Sequence, residues 1–499
     1  MVKDKVNHRT KKKSRGCVPA YLTVYLALVM TVILSLCLAL IEGTRQNAIF
    51  MEAECVTDIG LNSVLAEYNR ELLAQYNLFA VDSSYGTSRP LTENTEKHLK
   101  EYINKNLSAE DVLLDWLLYR DFLGMSLENV DMTKVSFMTD DNGRVFRTRA
   151  VEAVQDDMNL DLFQELQSWM QVVESENLTE RDIAAEKSKL DQQLKDYDGQ
   201  TKQISETEWI TIEVKNPTAA LEKKRKEGIL KWAVQNPESL SNKTLSTENL
   251  ISARLAAGRV NQGNMEISET SAIEETLERF LFQEYLLRYM GYYGAESDED
   301  ALTYQIEYLI AGKENDLDNL RSVANTIFGI REVANTVYIA SDEEKCAIAE
   351  ALGSLLASAM TIPEASGLLK WILLFGWAYA ESTYDMKCLM AGERVPLMKD
   401  SQTWHYGLQN ALALGDVTSD ESSEGLSYVD YLRILMSLQK EDTLTARAMD
   451  MVEADIRQTA GNEAFRLDGC MDCVEACVEI ESVYGYSCEI TRKKGYSTQ

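Results

Sequence analysis

The chain has 499 residues, with 80 acidic against 50 basic side chains and a net charge of −30. A surface this acidic repels phosphate, which excludes nucleic acid as a partner. Six prolines in the whole chain, among many Glu, Ala, Leu, Lys and Gln residues, point to a mainly α fold, and the length suffices for two or three domains.

Residues 1–16 form a basic tail. Lys3, Lys5, Arg9, Lys11, Lys12, Lys13 and Arg15 face only Asp4, so the tail carries +7 − 1 = +6. Residues 17–41 read as a transmembrane helix. Within them Pro19 to Ile41 is an uncharged apolar run of 23 residues. As a helix it is about 34 Å long, enough to cross a hydrocarbon core. Lys and Arg mark the cytoplasmic flank, so the N-terminus is expected inside the cell. The remaining charge, −30 − 6 = −36, is expected on an extracytoplasmic domain held by one span in the cell membrane. A cleaved signal peptide has the same order of features. Its apolar region is usually about 7–15 residues, however, and Glu42-Gly-Thr-Arg45 makes no small-x-small cleavage site. Glu42 and Arg45 read as a pair at the membrane interface. The hydroxyls of Tyr21, Thr23, Tyr25, Thr31 and Ser35 inside the run can bond to a neighbouring helix or to their own backbone.

The helix is expected to continue as a stalk over residues 42–82. Ile49, Ala53, Val56, Val64, Tyr68, Leu72, Tyr76 and Phe79, with Leu61 and Leu65, recur at the spacing of one helical face. Anchor and stalk together predict a rod of about 60 residues, about 90 Å long. Residues 83–237 begin with short helices. A hairpin is expected over 132–149, where Asp140-Asp-Asn-Gly143 separates two β-prone runs. Two amphipathic helices follow, marked by Val151 to Val173 and by Ile183 to Ile204, as a helical hairpin. A further helix runs from Pro217 to Asn236.

Residues 238–270, rich in Ser, Asn, Thr and Glu, read as a linker. Residues 271–462 read as a helical bundle, with helices near 271–293, 300–312, 316–340, 342–360, 364–391, 428–439 and 442–461. Its apolar stretch Leu368 to Ala380 is too short to span a membrane and is expected to be a core helix. Residues 463–499 read as a Cys-rich β-hairpin tail, turning at Tyr484-Gly485. The two hairpins are expected to share one small sheet.

Catalytic signatures are sparse. There is no H-E-x-x-H, no G-x-S-x-G and no phosphate loop; Ala311-Gly-Lys313 is followed by Glu. Histidine occurs only at 8, 98 and 405, and His405 is expected to be structural or at the surface. Glu274-Glu275 and Asp298-Glu-Asp300 read as solvated. No catalytic, cofactor-binding or metal-binding residue is assigned, and no cofactor is expected. Cys470, Cys473, Cys477 and Cys488, spaced C-x2-C-x3-C-x10-C, are candidates for a disulfide in an oxidising compartment, with a metal site as the alternative. Cys346 and Cys388 read as core thiols. Cys17 and Cys37 stand at the anchor, where lipidation or a dimer contact is conceivable.

Several stretches carry a resemblance: Leu22-Thr-Val-Tyr-Leu26, Leu40-Ile-Glu-Gly43, Met51-Glu-Ala-Glu54, Thr57 to Asn69, Leu72 to Phe79, Ile306 to Lys313, Trp377 to Ser382, Arg394 to Leu397 and Tyr428 to Arg433. In these the chain resembles bacterial single-pass membrane proteins associated with Flp-type (tight-adherence) pilus and related secretion machinery. The resemblance implies a minor-pilin-like or assembly-accessory role. It implies membrane lipid as one partner, and other membrane or pilus-assembly proteins, met through the anchor helix, as the rest. It also points to processing at Gly16, just before Cys17, although Tyr21 stands where ordinary prepilins carry Glu. A surface hydrolase using acidic residues and a ligand-sensing ectodomain are the alternative expectations.

Overall fold

The computed structural model describes residues 20–87, 89–107, 123–205, 208–266, 275–295, 297, 300–415 and 424–496. Its helices are α1 (Ala20–Leu65), α2 (Arg70–Tyr76), α3 (Thr92–Leu107), α4 (Asp140–Glu152), α5 (Leu160–Ser175), α6 (Ile183–Lys195), α7 (Ala219–Glu227), α8 (Leu230–Ala233), α9 (Ile251–Ala256), α10 (Glu275–Tyr289), α11 (Gln305–Ala311), α12 (Asp316–Ser341), α13 (Glu343–Ala359), α14 (Ser366–Met390), α15 (Leu408–Ala413), α16 (Tyr428–Leu438) and α17 (Glu441–Gln458). The strands are β1 (Val81–Asp82), β2 (Met125–Phe137), β3 (Thr201–Ser205), β4 (Glu208–Thr211), β5 (Cys470–Ser482) and β6 (Ser487–Gly495). The order β1-β5-β2, with β6 also on β5, makes one sheet, and β3-β4 makes a separate hairpin. The chain divides into two compact units.

The described residues of the first unit are 20–66, 95–107, 123–133 and 475–494. Helix α1 changes character along its length. From Tyr21 to Ile41 every side chain is exposed on every face. Among the described residues this is the one helix long and apolar enough to cross a membrane. Thr31 and Ser35 each donate to their own backbone, to the carbonyls of Leu28 and Val32 at 2.8 Å. Beyond Arg45 the helix becomes one-sided. Ile49, Ala53, Val56, Leu61 and Val64 are buried, as the spacing predicts for one face. Gly60 lets α3 approach: an added Cβ would lie 2.9 Å from Ile103 and 3.1 Å from Leu99.

Helix α1 ends at Leu65, so the predicted rod to Phe79 is shorter than expected. Asn69 is the reason. Its side-chain oxygen accepts the Leu72 N–H at 3.0 Å and caps a new helix, α2, while Tyr68 bridges to Val81.

The second unit comprises residues 67–94, 134–474 and 495–499. The expected hairpin over 132–149 is a strand followed by a helix. Asp141, Asn142 and Gly143 do take left-handed backbone angles, φ 51, 55 and 84, but they form the irregular start of α4 rather than a turn into a partner strand. Val145 and Phe146 are then buried, with the Phe146 ring edge-on to Phe282 at 6.1 Å. The expected helix from Pro217 to Asn236 breaks at Gly228 (φ +87) into α7 and α8. The expected linker is tied to this unit through the middle of its described part, residues 238–266: Leu250 and Ile251 are buried, and Arg254 is ion-paired to Glu453 and Asp468. The bundle helices fall within a few residues of their predicted places, and Leu368 to Ala380 lies in α14.

Helix α14 is the centre of the second unit, buried along most of its length from Leu369 to Met390 and packed on α12 and α13. Burial on all sides forces its polar residues to find partners. Arg331 on α12 is fully buried; its Nε and Nη2 donate to Asp385 Oδ2 at 3.0 and 2.8 Å. Its Nη1 donates to the carbonyls of Pro396 and Leu397 at 2.8 and 2.6 Å. Lys399 Nζ lies 2.6 Å from Asp385 Oδ1 and also binds Glu381. Glu381 accepts the backbone N–H groups of His405 and Tyr406. Two cations and two carboxylates thus balance, and they fasten the segment 396–406 to α12 and α14. Burial alone would raise the Asp385 carboxyl, but Lys399 and Arg331 outweigh it and hold it below its ordinary range.

Removing one member leaves buried charge uncompensated, which typically costs about 3–5 kcal/mol. Asp385→Asn is expected to lower unfolding stability by about that amount, measured by denaturant titration of the detergent-solubilised chain. A loss under about 1 kcal/mol would contradict a closed, charge-balanced cluster.

Candidate functional site

The first candidate region is the polar end of the apolar run of α1. Gly16 and Cys17, with the whole basic tail, lie outside the described residues. Glu42 and Arg45, expected as an interfacial pair, are brought together: Arg45 Nη1 is 2.9 Å from Glu42 Oε2. Both also meet the C-terminal hairpin, which the sequence reading did not anticipate. The Tyr486 hydroxyl donates to Glu42, and the Arg45 guanidinium lies 4.0 Å from the centre of the Tyr484 ring. Further along, Arg492 binds Glu54, and Lys494 Nζ is 3.5 Å from Asp58. The basic β6 therefore runs along the acidic side of α1. From Glu42 to Asp58 the helix rises about 24 Å, and from Tyr486 to Lys494 a strand advances about 26 Å, so the two keep step.

The C-terminal cysteines all lie on the hairpin. Cys470, Cys477 and Cys488 are free thiols, and Cys473 is buried in β5. Burial raises the thiols of Cys470, Cys477 and Cys488, and pushes Cys388 up to about 12. Raised thiols are poor nucleophiles at neutral pH. Among the described residues no group of three or more His, Cys, Asp or Glu side chains is placed to hold a metal ion. His405, expected to be structural or at the surface, has its Nδ1 3.1 Å from Glu381 Oε1 and its ring 4.3 Å from Tyr384. Glu381 is already bound to Lys399, so this histidine–acid contact belongs to the closed cluster of the core.

Two clefts in the second unit are further candidates. One, of about 530 Å³, is lined by Lys187, Asp191, Asn216, Glu222 and Arg225. Its carboxylate pair is pinned: Lys187 Nζ lies 2.6 Å from Asp191 and 2.9 Å from Glu222, and Asn216 Nδ2 donates to both at 3.0 Å. Glycoside hydrolysis needs two carboxyl groups about 5 Å or more apart with the substrate between them, and two carboxylates clamped on one lysine do not offer that.

The second cleft, of about 590 Å³, is lined by Tyr292, Tyr293, Tyr304, Tyr428, Gln235 and Asn236 among others. None of its described lining residues is charged. Behind it lies Glu307, whose Oε1 accepts from the Tyr428 hydroxyl at 2.8 Å and from the Tyr293 N–H at 3.0 Å. Glu307 Oε2 is buried without a hydrogen-bond partner. No catalytic or binding motif singles out Glu307, because its partners come from α16 and from the segment before α11.

A family model described as a family of unknown function (DUF5702) matches residues 207–482. No curated protein and no solved structure matches the chain.

Glu307 sits inside the matched segment and carries a pH signature. Burial pushes its carboxyl up to about 7. In the unfolded chain a glutamate titrates near 4, so the folded state favours the protonated form. Its stabilising contribution is therefore complete below about pH 4 and is lost as the pH rises through about 7. Glu307→Gln, which mimics the neutral acid, is expected to match the parent at pH 5 and to exceed it at pH 8 by on the order of 2–3 kcal/mol in denaturant unfolding. An equal difference at both pH values would contradict the assignment.

Proposed function

We propose that this chain, which belongs to the DUF5702 family of unknown function, is a non-enzymatic membrane-anchored protein, pilin-like or accessory to pilus or secretion assembly, with an extracytoplasmic helical domain. One observation carries the reading. A single unbroken helix is apolar on every face as far as Ile41 and one-sided from Ile49 onward, so the same element anchors and builds the first unit. The basic residues ahead of the run favour a cytoplasmic N-terminus.

An assembly role is supported by the outward side of α1 above the run. Met51 and Ile59 are exposed there, with Cys55 between them at helical spacing, and a partner helix would cover such a stripe. The non-enzymatic part is supported by the chemistry of the second unit, where the buried ions of α12 and α14 satisfy one another and the carboxylate pair of the charged cleft is pinned by Lys187. A ligand-sensing ectodomain is the second reading, favoured by the uncharged tyrosine-lined cleft before Glu307.

Fractionation tests the anchor. The full chain is expected in the membrane pellet, resistant to alkaline carbonate and released by detergent. Leu28→Asp with Leu34→Asp places two charges in the apolar run, each worth about +2.5–3.5 kcal/mol against insertion at mid-membrane, and is expected to shift the chain towards the soluble fraction. Recovery of the unmodified chain in the soluble fraction would overturn the proposal.

A further inference from the structure

The turn between β5 and β6, residues 483–486, lies beside the point where α1 leaves its apolar run. Tyr486 binds Glu42, and Tyr484 lies under the Arg45 guanidinium. Ile41, the last residue of the run, is only about 6 Å of helix rise below Arg45. The pairing of Arg492 with Glu54 and the approach of Lys494 to Asp58 hold the other end of β6 farther along the helix. The tip of the hairpin is therefore the end directed at the apolar run.

What that tip displays is unusual for a turn in water. Val483 is 80% exposed and Tyr484 is 44% exposed. Turn tips normally carry Gly, Asn, Asp or Ser. The exposure is also built in. The Val483 N–H donates to the Gly124 carbonyl at 2.9 Å, and the Ser482 hydroxyl donates to the Leu123 carbonyl. Gly124 has φ +52, and a Cβ there would lie 2.3 Å from a Val483 methyl. The Val483 side chain lies over Gly124, in space that any larger residue at 124 would take, and the rest of its surface stays open.

We propose that the β5–β6 turn is a second membrane contact, with Val483 and Tyr484 seated in the headgroup–acyl boundary of the leaflet from which α1 emerges. Tyrosine prefers this depth, where its ring is in apolar surroundings and its hydroxyl meets water. An Arg stacked on the same ring suits a surface of phosphate headgroups. Two contacts in one plane, helix and turn, fix the rotation of α1 about its own axis, which a lone span leaves free. This inference rests on the reading of α1 as a membrane span.

The test uses the full chain in vesicles of phosphatidylethanolamine and phosphatidylglycerol. An environment-sensitive fluorescent amino acid is placed by codon reassignment at position 483 and, in a separate preparation, at position 38 inside the apolar run. Quenching by nitroxide lipids labelled near the headgroup is compared with quenching by aqueous iodide. The expected result is lipid quenching at both positions, with iodide quenching at 483 at least several-fold weaker than in the same chain denatured. Lipid quenching at 38 with free iodide quenching at 483 would overturn the membrane-contact turn and leave the anchor standing. Shielding of 483 from both quenchers would place it against protein and overturn the inference as well. Iodide quenching at 38 would overturn the anchor itself, and the inference with it.

Discussion

One helix that is apolar on every face over its first half and one-sided over its second must suit two surroundings without a break, and this constraint organises the first unit. In hydrocarbon every backbone N–H and C=O has to be bonded within the helix, and side chains on all faces must be apolar. Tyr21 to Ile41 meets that demand, down to Thr31 and Ser35 turning their hydroxyls onto their own backbone. From Glu42 onward the demand changes to one buried face and one polar face. Ile49, Ala53, Val56 and Leu61 supply the first. Glu42, Glu54 and Asp58 supply the second, and they are answered from the far end of the chain by Tyr486, Arg492 and Lys494. The first and last described segments of the polypeptide thus meet on one helix, in a contact set by charge and matched pitch.

The second unit handles charge in a different way. It belongs to a strongly acidic chain, and it gathers several of its buried ions into clusters. Arg331 and Lys399 face Asp385 and Glu381, and Arg254 faces Glu453 and Asp468. Such clusters add little net stability compared with an apolar core, but they penalise any other packing, because a displaced partner leaves a bare charge in a low dielectric. That is a reason for the segment 396–406, which has little regular structure, and for the short helix α9 to hold one position on the longer helices.

Much of the architecture was legible where the signal was local. The length and purity of the apolar run, the burial stripe of α1, the long bundle helices and the turn at Tyr484-Gly485 are all short-range patterns, and the structure has them. The misreadings came where the deciding contact was distant. Asp140 to Gly143 does turn the chain, but whether a strand or a helix follows depended on Phe146 reaching Phe282. The polar composition of 238–266 suggested a linker because Arg254 and its acids lie about 200 residues apart, at 453 and 468. Helix α1 was read as too long because the stripe continues into α2, and only the cap at Asn69 reveals the break. For the candidate site, Glu42 and Arg45 were legible as neighbours on one helix. Their contacts with Tyr486 and Tyr484 could not be read, since nothing in a single sequence ties position 42 to position 486.

The account turns on α1 facing lipid below Glu42 and protein above it. Photocrosslinking measures this directly, with a benzophenone amino acid placed in turn at positions 24 to 63 of the membrane-embedded chain and the adducts identified by mass spectrometry. The account predicts lipid adducts on every face up to residue 41. Above residue 45 it predicts a change to helical periodicity, with adducts to α3 from the face that carries Gly60 and Leu61. An absence of lipid adducts at every position below Glu42 would contradict it.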